Sequence, residues 1–201
     1  MLNKLMTKLS LDWATTTEEL DKKGFASVSS FLSSEICDEF IENYKKQGLY
    51  RKTVVMERHR SGLGKYKYFE YPLPGVVQTI REELYPKLAP IANSWMKQLR
   101  METRFPETFG DLQSLCRQNN QTKPTPLILK YGEGGHNTLH QDLYGEVFFP
   151  IQLAILLNEP GKDYTGGEFV LTQQTPRAQS KAIVLTPRKG DIIIFTTNFD
   201  L

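Results

Sequence analysis

The sequence predicts an α+β protein: a helical first part over residues 1–125 and a β-rich second part over 126–201, together one integrated domain. Three observations predict it. Apolar residues recur at helical spacing early in the chain, as Ile36, Phe40, Ile41 and Tyr44 do. A turn-rich connector, NNQTKPTP (119–126), then interrupts it. From Pro126 onward, many short strand-like runs are separated by regular turns, which points to an antiparallel sandwich or barrel. A doubly wound α/β fold would need helices between those strands, and residues 126–201 leave no room for them.

Composition sets the outer bounds. With 201 residues, 39% hydrophobic and 11% aromatic, the chain can bury one core. A net charge of +2 does not by itself announce a nucleic-acid partner, so any such binding must come from a local patch. Cys37 and Cys116 are far apart with no CxxC spacing, which argues against a disulfide framework or zinc knuckle and fits a reducing compartment. The N-terminus lacks an apolar core long enough for a signal peptide, and no run approaches a membrane span; a soluble, cytoplasmic protein with no membrane association is expected.

In order along the chain, Thr15-Thr16-Thr17 with Glu18 and Glu19 reads as a helix start, and Lys22-Lys23-Gly24 as its end. Phe25–Phe31 reads as a short strand. Ser33-Ser34-Glu35 caps a second helix over about Ser34–Gln47. Pro72–Pro74 breaks the chain, after which Val76–Leu84 and Lys87–Leu99 read as two helices, with Trp95 in the core, and Phe109–Asn119 as another. Phe148–Asn158 is an apolar run suited to a buried strand. Glu168–Thr172, Lys181–Leu185 and Asp191–Thr196 follow as strands, the last after a tight turn at Pro187–Gly190.

Residues 51–71 (RKTVVMERHRSGLGKYKYFEY) read as a hairpin about Ser61-Gly62-Leu63-Gly64. Its arms carry Arg58, His59, Arg60, Lys65 and Lys67, with Tyr66, Tyr68 and Phe69 interleaved. Cations beside aromatic rings suit phosphates and stacked bases, so Arg58, Arg60, Lys65, Lys67 and Tyr66 are candidate substrate contacts. The alternative is a solvated amphipathic hairpin with the two lysines on one face and the tyrosines on the other.

The stretch LILKYGEGGHNTLHQD (127–142) carries the sharpest chemistry. A strand-like run meets a Gly-rich turn and re-enters a strand at about Thr138. Residues two apart on a strand point to one side, so His140 and Asp142 offer an imidazole nitrogen and a carboxylate oxygen toward one point. That is two thirds of the two-His, one-carboxylate set that holds non-haem Fe(II). His-x-Asp also occurs widely as a surface ion pair or a turn.

The succession His140-Gln141-Asp142, QLAILLNEP, Gly166-Gly167-Glu168-Phe169-Val170-Leu171, and Pro187-Arg188-Lys189-Gly190-Asp191 running into IIIF resembles the Fe(II)/2-oxoglutarate-dependent dioxygenases over roughly residues 125–196. The earlier segments GFASVSSFLSSEICDEF and VVMERHRSGLGKYKYFEYPLP resemble a bacterial group of these enzymes associated, like the AlkB-like oxygenases, with oxidative removal of alkyl damage from DNA. The resemblance implies a double-stranded β-helix (jelly-roll) core with His140 and Asp142 as catalytic metal ligands. It also implies Fe(II), 2-oxoglutarate and O2 as cofactor and co-substrates, and alkylated DNA or single-stranded nucleic acid as partner. Tyr131 sits where related enzymes bind the far carboxylate of 2-oxoglutarate, and Gln152 is placed to face the same cavity. A protein or small-molecule hydroxylase of the same superfamily, or a non-catalytic jelly-roll interaction module, are the alternatives.

The family pattern also has a second histidine ligand downstream of the KGD strand, and an Arg or Lys beyond it for the co-substrate. The sequence reaches Leu201 without them, and its histidines are His59, His136 and His140. A jelly roll incomplete at its C-terminus, in a truncated or frame-shifted form of a longer enzyme, is therefore expected. The alternatives are a site completed by His59 or His136, with Arg58, Arg60 or Lys130 serving the carboxylate, or a non-catalytic remnant. Unclosed sheet edges would favour oligomerisation.

Overall fold

A computed structural model describes residues 11–174 and 177–197. The chain is α+β with all its ladders antiparallel, and it divides into two interleaved compact units. The first comprises residues 1–42, 91–104 and 149–201, the second 43–90 and 105–148, so each draws on both sides of residue 125.

In the first unit, helix α1 (Trp13–Lys23) starts three residues earlier than the threonine run suggests, because Asp12 is the cap: its carboxylate accepts the Thr15 N–H. Gly24, at φ +74°, ends the helix in the left-handed conformation. Strand β1 (Phe25–Val28) follows at once, and helix α2 (Ser34–Asn43) stops four residues short of the expected end. The main sheet has the order β1-β10-β7, with β10 (Ile192–Thr196) between β1 and β7 (Ile151–Ile155). Its register runs Ala26↔Ile194↔Leu153. A strand covered on both faces has no reason to alternate, and Ile192, Ile193 and Ile194 are all fully buried. A second ladder joins β8 (Phe169–Gln173) to β9 (Lys181–Leu185), and the Phe169 ring meets Phe195 of β10 at 5.4 Å.

The Lys189-Gly190-Asp191 turn is a structural fastening. Asp191 accepts N–H bonds from Ser30 and Arg188, at 2.9 and 2.8 Å. The Gly190 N–H reaches Leu156 O and its carbonyl accepts from Leu32 N. Lys189 is held by Asp38.

In the second unit, the expected hairpin forms from β2 (Tyr50–Val55) and β4 (Lys65–Phe69), with β5 (Leu127–Lys130) on the outer side of β4. Arg58 and His59 are not on its arms as expected. They lie in a 3-10 turn, Met56–His59, ended by Arg60 at φ +54°. The buried Met56 side chain anchors this turn. The two-residue strands β3 (Gly62–Leu63) and β6 (His136–Asn137) pair separately.

Helix α3 (Gly75–Gln98) is one element, not two; Pro86 and Pro90 lie inside it. An interior proline costs a helix about 3 kcal/mol. Along α3 that cost is opposed by the burial of Leu84, Tyr85, Leu88, Ala89, Trp95 and Met96. Thr108 caps helix α4 (Phe109–Gln118), close to the expected span.

Candidate functional site

The candidate site lies in the second unit, on the chain between β5 and the loop after Asp142. His140 and Asp142 are not on a strand, contrary to expectation: β6 covers only His136–Asn137 and the chain then leaves the ladder. The two side chains converge nonetheless. His140 Nε2 lies 3.5 Å from Asp142 Oδ1, with the side chains 46% and 37% exposed.

The convergence has a cause in the backbone around Thr138. Thr138 donates its N–H to Ser61 O at 3.0 Å, which fixes the peptide that follows. The Thr138 carbonyl then accepts from His140 Nδ1 at 2.8 Å. With Nδ1 carrying the hydrogen, Nε2 presents its lone pair toward the carboxylate, and two electron-rich atoms facing each other call for a cation or a proton between them. A carbonyl on the far ring nitrogen is the usual way of orienting a metal-binding imidazole. The 3.5 Å separation is less than two ligand bonds of about 2.1 Å laid end to end, so the pair fits a metal ion. Beyond Asp142 the loop is tied down by Gln121, whose amide exchanges two bonds with the Val147 backbone at 2.8 Å each.

The pair is incomplete as a ligand set. Among the described residues, no group of three or more His, Cys, Asp or Glu is placed to hold a metal ion. The His136 Nδ1 faces Gly134 O at 3.2 Å.

Tyr131, just past β5, is 40% exposed; the burial of the rest of the side chain raises its hydroxyl pKa, with a smaller opposing effect from Asn137. The phenol thus stays a neutral donor at and well above neutral pH. On β4 the alternation holds: the Tyr66 and Tyr68 rings meet edge-on at 5.5 Å. Arg51 lies 4.3 Å over the Tyr68 ring and also donates to Pro124 O. Burial raises the Tyr68 pKa; Tyr66 adds to the rise, Arg51 opposes it, and Asp142 and Tyr144 add lesser contributions, which places the Asp142 carboxylate and the other two tyrosines in one neighbourhood. Tyr144, 72% exposed, escapes a motif search; its place two residues beyond Asp142 is the only signal.

The expected cations divide. Lys67 is committed internally: its amine donates to Tyr44 O at 2.7 Å and lies over the Tyr44 and Tyr50 rings. Lys130 also lies over Tyr44. Arg58, Arg60 and Lys65 are exposed. Gln152 lies on β7 opposite Phe195, within the first unit.

Fold and family agree on the class. The fold is similar to that of a Pseudomonas putida prolyl-4-hydroxylase, with a TM-score of 0.52 at 12% identity, covering 92% of this chain and 86% of that one. The chain falls in the Fe(II)/2-oxoglutarate-dependent dioxygenase superfamily, as its sequence resemblance implies. It belongs to the Oxygenase-NA family, described as an oxygenase catalysing oxidative methylation of damaged DNA, which matches residues 64–200. Uncharacterized proteins of Mycobacterium tuberculosis, from strains CDC 1551 and H37Rv, are each 46% identical over 129 residues. The alignment spans 64% of this chain and 55% of each relative. Among the described residues, no helix is long and apolar enough to cross a membrane.

Proposed function

We propose that this chain is part of an Fe(II)- and 2-oxoglutarate-dependent dioxygenase built on a jelly-roll core, acting on alkylated DNA by oxidative demethylation. One observation carries the reading: His140, its Nδ1 held by Thr138 O, directs Nε2 at the Asp142 carboxylate. His140 and Asp142 would hold the iron; Tyr131 would donate its hydroxyl to the far carboxylate of 2-oxoglutarate. Iron, with 2-oxoglutarate and O2, supplies oxidation of a substrate C–H bond. The chain's own part is to fix ligand direction and keep a neutral phenolic donor in place.

The nucleic-acid part is supported by the exposed Arg58, Arg60 and Lys65 and by the Tyr66–Tyr68 ring pair. Anaerobic titration with Fe(II) and 2-oxoglutarate tests the first part. The visible charge-transfer band of the chelate is expected, and a protein that gives neither that band nor succinate from 2-oxoglutarate sinks it. Fluorescence anisotropy with a single-stranded oligonucleotide tests the second. With three exposed cations and Lys67 engaged elsewhere, log affinity should fall against log salt with a slope of about −2. Arg58→Ala with Arg60→Ala should flatten that slope; an unchanged slope would favour a protein or small-molecule substrate.

A further inference from the structure

The turn Ser61-Gly62-Leu63-Gly64 joins two arms of a hairpin, yet much of its backbone faces a segment more than seventy residues away. Gly62 pairs with Asn137 and Leu63 with His136. Ser61 O accepts both the N–H and the Oγ1 hydroxyl of Thr138, at 3.0 and 3.1 Å. The turn is itself held closed, with Met56 N donating to Gly64 O at 2.9 Å and Ser61 Oγ to Met56 O at 3.2 Å.

Two of its positions leave no space for a side chain. Gly62 has φ +132°, and a Cβ there would lie 2.2 Å from His136 O. At Gly64 a Cβ would lie 2.8 Å from Tyr131 Cδ1. At Gly135 a Cβ would fall 2.8 Å from Tyr131 Cβ. The Tyr131 ring thus packs against Gly64, and its Cβ against Gly135. Asn137, the residue that Gly62 holds in register, lies near enough to the Tyr131 hydroxyl to oppose the rise that burial gives its pKa.

We propose that the Ser61–Gly64 turn is the positioning element of the candidate site. Through Gly64 and Asn137 it seats the Tyr131 ring and hydroxyl, and through Ser61 and Thr138 it sets the direction of the His140 imidazole. What Tyr131 and His140 bind rests on the proposed function; that the turn places them does not.

The test uses the full chain labelled with 13C in tyrosine rings and histidine imidazoles, with Tyr131→Phe and His140→Ala assigning the signals. Gly64→Ala should move the Tyr131 ring signals and leave those of His140, while Gly62→Ala should move both, with the far-ultraviolet dichroism unchanged. In the anaerobic Fe(II) titration, Gly64→Ala and Asn137→Ala should weaken 2-oxoglutarate binding about tenfold while Fe(II) affinity stays as in the parent, in line with the loss of one charge-assisted bond of about 1.5–3 kcal/mol. Asn137→Ser, which keeps a donor, should recover part of that loss. Gly64→Ala added to Tyr131→Phe should cost nothing further.

A folded Gly64→Ala protein whose Tyr131 signals match the parent, or full additivity in the double variant, overturns the proposal. Should the glycine variants fail to fold, Asn137→Ala, an exposed substitution, decides by the same ring signals. If the parent protein binds no 2-oxoglutarate, the functional reading fails, while the ring and imidazole signals still decide the positioning role.

Discussion

Replacing Asp142 with alanine separates a metal ligand from a structural ion pair. The His140–Asp142 contact is 3.5 Å long with both side chains more than a third exposed. An exposed pair of this kind contributes about 0–1 kcal/mol to folding, and Gln121 and Ser61 hold the surrounding loop through bonds of their own. Urea unfolding of Asp142→Ala should therefore shift the midpoint by less than about 1 kcal/mol at unchanged slope. Metal affinity should respond on another scale. Loss of a group that merely orients a ligand costs about 10–100-fold, and loss of a ligand itself should cost at least the upper figure. Calorimetric titration with Fe(II) under argon, or with Co(II) in air, should show that drop for both Asp142→Ala and His140→Ala. A protein destabilised by about 2 kcal/mol or more, with its metal affinity intact, would show that the pair holds the loop and binds nothing.

Three further outcomes follow from the first unit. Gly190→Ala puts a Cβ 2.3 Å from Leu32 O at φ +84°, so thermal melting should show a loss of more than about 2 kcal/mol, of which left-handed strain alone supplies 1–2. Trp95 is buried and its Nε1–H reaches Asp21 Oδ1 at 2.7 Å; Asp21→Ala should cost about 1–3 kcal/mol by urea unfolding, and Asp21→Asn less. The Glu159 N–H, chief among its partners, holds the Asp163 carboxyl below its ordinary pKa. A depressed folded pKa stabilises above the unfolded value, about 3.9, and is lost as pH falls through the folded value. The melting temperatures of parent and Asp163→Asn should therefore converge on acidification from pH 5 to pH 2.5; a constant gap would contradict the assignment.

What the sequence disclosed follows how local each cause was. β9 and β10 lie where they were expected because a turn bounds each, and in β10 a continuous apolar run is covered on both faces. α4 was expected over Phe109–Asn119, and the structure shows Thr108 capping it. α3 was not legible as one helix, because a proline ordinarily ends a helix and only tertiary burial on either side of Pro86 overrides that. The convergence of His140 and Asp142 was expected from the pleat of a strand, but the molecule achieves it off the strand. The cause is a pair of bonds between Thr138 and Ser61, 77 residues apart, which no local pattern reveals. Lys67 was read as a phosphate contact because a sequence shows the cation and not the rings that enclose it.

The pairing of β1 with β10 sets a timetable for synthesis. Ser30 finds its carboxylate partner 161 residues later, and β1 meets the central strand at a similar distance. At about 5–20 residues per second, the ribosome leaves Phe25–Val28 without its neighbour for roughly ten to thirty seconds. Closing so long a span costs about 4–5 kcal/mol in chain entropy. The nascent chain therefore carries an unmatched early strand for that interval, a window in which a strand-capping chaperone, or a second nascent copy, competes for it.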